Sequence, residues 1–181
     1  MRSTSSRPVF RRAACALAVG LTLATTSGCG ASIDGVTGIS VTADGRLLGV
    51  IMVCGHDIVG AGLYEEGDGR QEDTKIGEWT PVRPLEAGLT TWPLDSPTPG
   101  WTATRSPGPL ADATVYSLAG RTGDSSWSAR SIDFTTADRD RLRPGRVLYE
   151  DYSKDGEEVL RLVPLPEFEA TACDPHTSTL R

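Results

Sequence analysis

No stretch of ten residues beyond position 28 sustains a helical repeat of apolar positions. The chain breaks instead into short runs rich in Val, Ile, Thr and aromatic residues. Turn signals separate them about every 8–12 residues, the spacing of an all-β domain. Residues 36–42 (VTGISVT) read as a strand ending at Ala43-Asp44-Gly45, a hairpin signal. Residues 46–53 (RLLGVIMV) are almost continuously apolar, as expected of a strand buried on both faces. Residues 57–64, 76–80, 113–119 and 126–134 read as further strands, with a charged loop at 65–75. Residues 146–152 and 157–163 flank Ser153-Lys154-Asp155-Gly156, the clearest hairpin in the chain.

Seven of the twelve prolines fall between positions 81 and 109. Proline removes a ladder donor, so this stretch should be irregular or edge-like, with short strands at 89–92 and 101–104. Thr135-Thr136-Ala137-Asp138 can cap one short helical turn through Leu142, ended by Pro144-Gly145. The pattern predicts an antiparallel β-sandwich. An immunoglobulin-like topology is the default and a small barrel the alternative. Expected core residues are Ile39, Val41, Leu48, Val50, Met52, Ile58, Leu63 and Val115 in the first two-thirds of the chain. Trp127, Ile132, Phe134, Val147, Tyr149, Leu160 and Leu162 complete the set.

The first thirty residues say where the protein resides. Arg2, Arg7, Arg11 and Arg12 make a cationic start without an acid, followed by an uncharged apolar run, AACALAVGLTLA. A membrane span needs about 17–25 apolar residues, so this run is too short to cross but suits a secretory signal. Thr26-Ser27-Gly28-Cys29 then resembles the lipobox of bacterial lipoprotein signal peptides, with Thr26 where an aliphatic residue is usual. The resemblance implies that Cys29 receives a diacylglycerol and that residues 1–28 are cut away. The new amino terminus can then take a further chain such as palmitate. Ordinary secretion with cleavage nearby is the alternative, and Arg11-Arg12 leaves the export route open between the Sec and twin-arginine systems. The implied organisation is a signal peptide at 1–28, a tether at 29–35, the β domain at 36–175 and a tail at 176–181. The whole resembles the small lipoproteins of high-GC bacteria, given its Arg-over-Lys bias and C-terminal Cys.

Cleavage removes four arginines and no acid, leaving 14 basic against 24 acidic residues and a net charge of −10. So acidic a domain is repelled by anionic lipid, and the lipid on Cys29 must do the anchoring. No basic patch is rich enough for nucleic acid, so that partner class is excluded. The short tether points instead to the bilayer and to a membrane-proximal protein partner.

Cys15 lies in the signal peptide and Cys29 is the lipid acceptor, which leaves Cys54 and Cys173. In an exported domain this even pair is expected to form a disulfide closing a loop of roughly 120 residues. Each has a histidine close by, in Cys54-Gly55-His56 and Cys173-Asp174-Pro175-His176. If the cysteines join, His56 and His176 can come within reach, a weak metal site. Two solvated loop histidines are the plainer reading, and no cofactor is expected.

Other chemistry-bearing patterns are incomplete. Gly123-Asp124-Ser125 has the Gly-Asp-Ser of some hydrolases, but Ser126 and Trp127 follow where close backbone approach wants glycine. Asp151-Tyr152-Ser153-Lys154-Asp155-Gly156 matches half of a calcium loop, yet Leu162 stands where the bidentate Glu belongs. Trp79, Trp92 and Trp101 sit in or beside the proline-rich stretch. Exposed, they would form a stacking platform for a ligand; buried, they would hold an irregular segment down. The expected function is a non-catalytic, membrane-anchored binding or accessory module. A metal-binding or redox lipoprotein using His56 and His176 is the first alternative, and a cell-wall hydrolase the second.

Overall fold

The computed structural model describes residues 32–174 apart from Asp68, Arg70, Ser125 and Lys154. Cys29, in the expected lipobox, and His176 lie outside the described residues. The first strand, β1 (Ser32–Val41), starts four residues before the expected Val36. It turns through Gly45, which sits at φ +82°, into β2 (Leu47–Val53). β3 (Gly60–Glu65) and β4 (Thr74–Pro81) form the next antiparallel pair. The proline-rich stretch contributes β5 (Gly88–Pro93) and β6 (Trp101–Arg105), as its two short apolar runs suggested. β7 (Tyr116–Arg121) follows. The run expected as one strand at 126–134 is split into β8 (Trp127–Arg130) and β9 (Ile132–Phe134).

The expected helical turn is α1 (Thr136–Asp140). Thr135 caps it, accepting from the Asp138 backbone N–H while the Asp138 carboxylate accepts from the Thr135 N–H. β10 (Arg146–Tyr152) and β11 (Glu158–Pro164) form the expected hairpin, turning where Gly156 N–H donates to the Ser153 carbonyl. A final helix, α2 (Leu165–Thr171), has no counterpart in the sequence reading.

The all-β expectation is borne out. The finer expectation, an immunoglobulin-like antiparallel sandwich, is not, because all eleven described strands join one mixed sheet nearly closed into a barrel. β1 pairs in parallel with β8 along its first half and antiparallel with β10 farther on. Its other edge carries β2, which carries β5. From β8 the sheet runs on through β7, β3 and β4 to β6.

β2 is buried on both faces, as its continuous apolar run required. Leu47, Ile51 and Val53 enter the main core with Ile39, Leu63, Leu118, Ile132 and Phe134. Val50 faces the opposite way, into a second cluster with Val36, Val147, Tyr149 and Phe168. α2 supplies Phe168 and covers that outer face. Two expected core residues are exposed. Val115 is 36% exposed because β7 buries the opposite parity, Tyr116 and Leu118. Leu160 is 43% exposed because it lies on β11, which pairs with β10 alone.

Candidate functional site

The three tryptophans form no ligand platform. Trp79 and Trp92 are buried, and half-buried Trp101 packs against the main core. Their place in the sheet explains why. β5 and β6 end separate arms of the sheet, and among the described residues no ladder joins them. Trp92 on β5 stacks on Trp101 on β6, with ring centroids 4.5 Å apart and planes at 21°. Trp79 on β4 meets Trp92 edge-on at 6.1 Å. Aromatic packing therefore closes the seam that backbone hydrogen bonds leave open. Glycine makes the room. Gly49 is the register partner of Trp92, and a Cβ there would lie 2.4 Å from the indole.

Cys54 and Cys173 are joined by a disulfide, as their count and expected compartment suggested. The bond ties the end of α2 to the residue following β2 and so holds the helix on the sheet. Two residues beyond Cys54, His56 lies in an open depression lined by Asp57, Val59, Thr122, Asp124 and Trp127. Its ring stacks on Trp127, with centroids 3.8 Å apart and planes at 12°. Asp34 accepts from both the backbone N–H and Nδ1 of His56. The close approach depends on Gly55, where a Cβ would meet an Asp34 oxygen at 2.8 Å. Asp34 gives no local sequence signal. It stands one step beyond the Gly35–Val53 register pair, which puts it opposite Cys54 and brings it to His56.

This carboxylate–imidazole pair, with the stack on Trp127, fixes the ring at the edge of the depression. Among the described residues no three His, Cys, Asp or Glu side chains gather into a metal-ligand set. The Gly123-Asp124 turn lines the same depression, but the Asp124 carboxylate is taken up locally by the Ser126 backbone N–H. That bond holds its carboxyl below the usual carboxylate range. In the half-matched calcium loop, Asp151 is buried and held by Arg161 at 2.8 Å and Arg130 at 3.9 Å. Its oxygens serve two guanidiniums.

The better-enclosed site lies at the other end of the molecule. A cavity of about 550 Å³ opens beside the β1–β2 turn, lined on the loop side by Pro107, Gly108 and Pro109. Its apolar walls are Leu47, Leu63, Leu94 and Leu110. Charges ring it: Asp44 and Arg46 from the turn, Asp95 after β5, and Arg139 from α1. Asp44 and Arg46 pair with each other at 3.1 Å, and Arg46 also donates to Ser96. The Thr42 hydroxyl beside Asp44, with Arg46, holds the Asp44 carboxyl below its ordinary value.

No family model, curated protein or solved structure matches the chain. The site is therefore read from its own chemistry. A cavity of a few hundred cubic ångströms, apolar below and charged at the rim, in the mouth of a barrel-like sheet, is the usual form of a small-molecule site. Sequence reasoning missed it because its walls come from five separate segments, each unremarkable in isolation.

Proposed function

We propose that this protein is a membrane-anchored extracytoplasmic lipoprotein, held to the bilayer through a lipidated Cys29, whose β domain is a non-catalytic binding module. The observation that carries the reading is the polarity of the domain. β1 begins at Ser32, so residues 30 and 31 alone would separate the anchor from folded structure. The apolar-walled mouth lies beside the far end of the same strand. Ten strand residues span roughly 33 Å. A lipid at Cys29 would thus hold the His56 end against the headgroups and present the mouth outward. A protein partner would be membrane-proximal, since the tether allows no search through the wall. The disulfide supports an oxidising compartment.

The test is fractionation with metabolic lipid labelling. Wild type should carry label and sediment with membranes, and Cys29→Ser should lose the label. An unlabelled wild-type protein, with fractionation unchanged in the variant, would reject the anchor.

One observation favours a metal-binding reading second. The Cys54–Cys173 bond fastens the chain just before His176 to the strand end bearing His56 and Asp34. Titration with zinc or copper should then give a heat of binding that His56→Ala abolishes.

A further inference from the structure

We infer that the mouth binds a small amphiphile with one anionic head, the head meeting Arg139 and the aliphatic body lying against Leu47, Leu63, Leu94 and Leu110. This deepens the binding-module reading and rests on it.

The arginines in and just after α1 differ in their partners. Arg141 pairs with Asp138 at 3.4 Å. Arg143 donates to the carbonyls of Asp140 and Leu142. Arg139 lies within α1 itself, half-buried, and its guanidinium has no hydrogen bond or ion pair among the described residues. It faces the cavity that the four leucines wall. A guanidinium offers five donors in a planar fork suited to a carboxylate or phosphate. Beside an apolar wall its charge is less screened than on an open surface, which raises the value of a charge-assisted hydrogen bond.

The other rim charges offset it little. Asp44 is neutralised by Arg46 at 3.1 Å. Asp95 is exposed, so its field is damped by water more than that of Arg139. The leucine walls set the rest of the ligand, since apolar surface buried there is favourable in proportion to its area. Because the mouth lies at the end of the domain away from Ser32, the amphiphile would arrive from the aqueous side, not from the bilayer under the domain.

The experiment is calorimetric titration of the full-length protein in nanodiscs, with empty discs as the blank. If the protein proves not to be anchored, the same titration is run without discs, so the two readings fail separately. The probes are butanoate, hexanoate and octanoate, with octylammonium as the cationic counterpart. Octanoate should bind, and each added CH₂ should tighten binding about three- to fourfold. Octylammonium should bind at least about tenfold more weakly, and Arg139→Gln should weaken octanoate by about the same factor. Arg139 is on the surface of a capped turn, so its replacement leaves the core intact, which an unchanged melting temperature would verify. No heat from octanoate at millimolar concentration would overturn the inference. So would equal binding of the anion and the cation, or octanoate binding that Arg139→Gln leaves unaltered.

Discussion

Phe168 of α2 lies edge-on to Tyr149 of β10, with ring centroids 5.0 Å apart and planes at 64°. Phe168 is fully buried although it belongs to a helix of seven residues. A helix so short is unstable alone and holds its shape through tertiary contact. This contact, with Val36, Val50 and Val147 beneath it, is what makes the helix part of the fold. Phe168→Ala should therefore cost about 3–5 kcal/mol, as for other large core truncations. Leu160→Ala, at an exposed site, should change stability by about 0.5 kcal/mol or less. Urea denaturation of both variants measures the contrast; equal effects would mean that α2 does not seal the outer face.

The disulfide should matter through the same helix. Cys54 and Cys173 are 119 positions apart, and the chain-entropy relation gives about 5 kcal/mol as an upper figure for such a loop. Replacing both cysteines with alanine should lower stability by about 2–5 kcal/mol. Protease digestion should then cut first near α2. A denaturation midpoint that does not respond to reductant would contradict this.

The tryptophan seam predicts an effect at a residue with no functional chemistry. Gly49→Ala places a Cβ 2.4 Å from the Trp92 ring. The indole must move, and with it the stack on Trp101. The expected cost is about 1–3 kcal/mol, the range for overpacked cores, together with a changed near-ultraviolet circular dichroism spectrum. An unchanged aromatic spectrum would show that the stack does not depend on this glycine.

Asp151 bridges Arg161 and Arg130 while buried. Asp151→Ala removes the carboxylate facing both guanidiniums and should destabilise by about 3 kcal/mol. The same geometry implies that millimolar calcium leaves the wild-type melting temperature unchanged. Calcium stabilisation abolished by Asp151→Asn would restore the calcium-loop reading.

Burial, more than any charged neighbour, raises the Glu150 carboxyl above its ordinary value of 4.5. Glu66 shifts in the same direction, through burial and the adjacent Asp133. A raised folded value means the folded state holds the proton more tightly than the unfolded one. The resulting stabilisation is complete below about 4.5 and is lost as pH rises through the folded value. Glu150→Gln keeps an oxygen to accept the Asp133 N–H, which Glu150 Oε1 now accepts at 2.8 Å. It should raise the melting temperature at pH 7.5 by about one or two degrees, with the gain vanishing near pH 4. A gain that persists at low pH would assign the effect to packing and not to charge.

Local pattern alone determined most of the strands of this protein. β2 could be read from its unbroken apolar run, the β10–β11 hairpin from Ser153 to Gly156, and α1 from its Thr135–Asp138 cap. The Cys54–Cys173 bond followed from counting cysteines on the expectation that the chain is exported. These readings succeed because propensity, turn chemistry and capping act between residues a few positions apart. Tertiary structure alone decided which parity of β7 faces inward, so Tyr116 and Leu118 are buried where Val115 was expected. It also turned α2 into a lid for a second cluster, and a single helical turn's worth of apolar residues carries too short a period to read. Closure at Trp92 and Trp101 was decided there, as were the Asp34–His56 pair and the leucine-walled mouth beside Arg139. Each of these joins segments distant in sequence, and such contacts depend on sheet register and twist, which no local window of residues encodes.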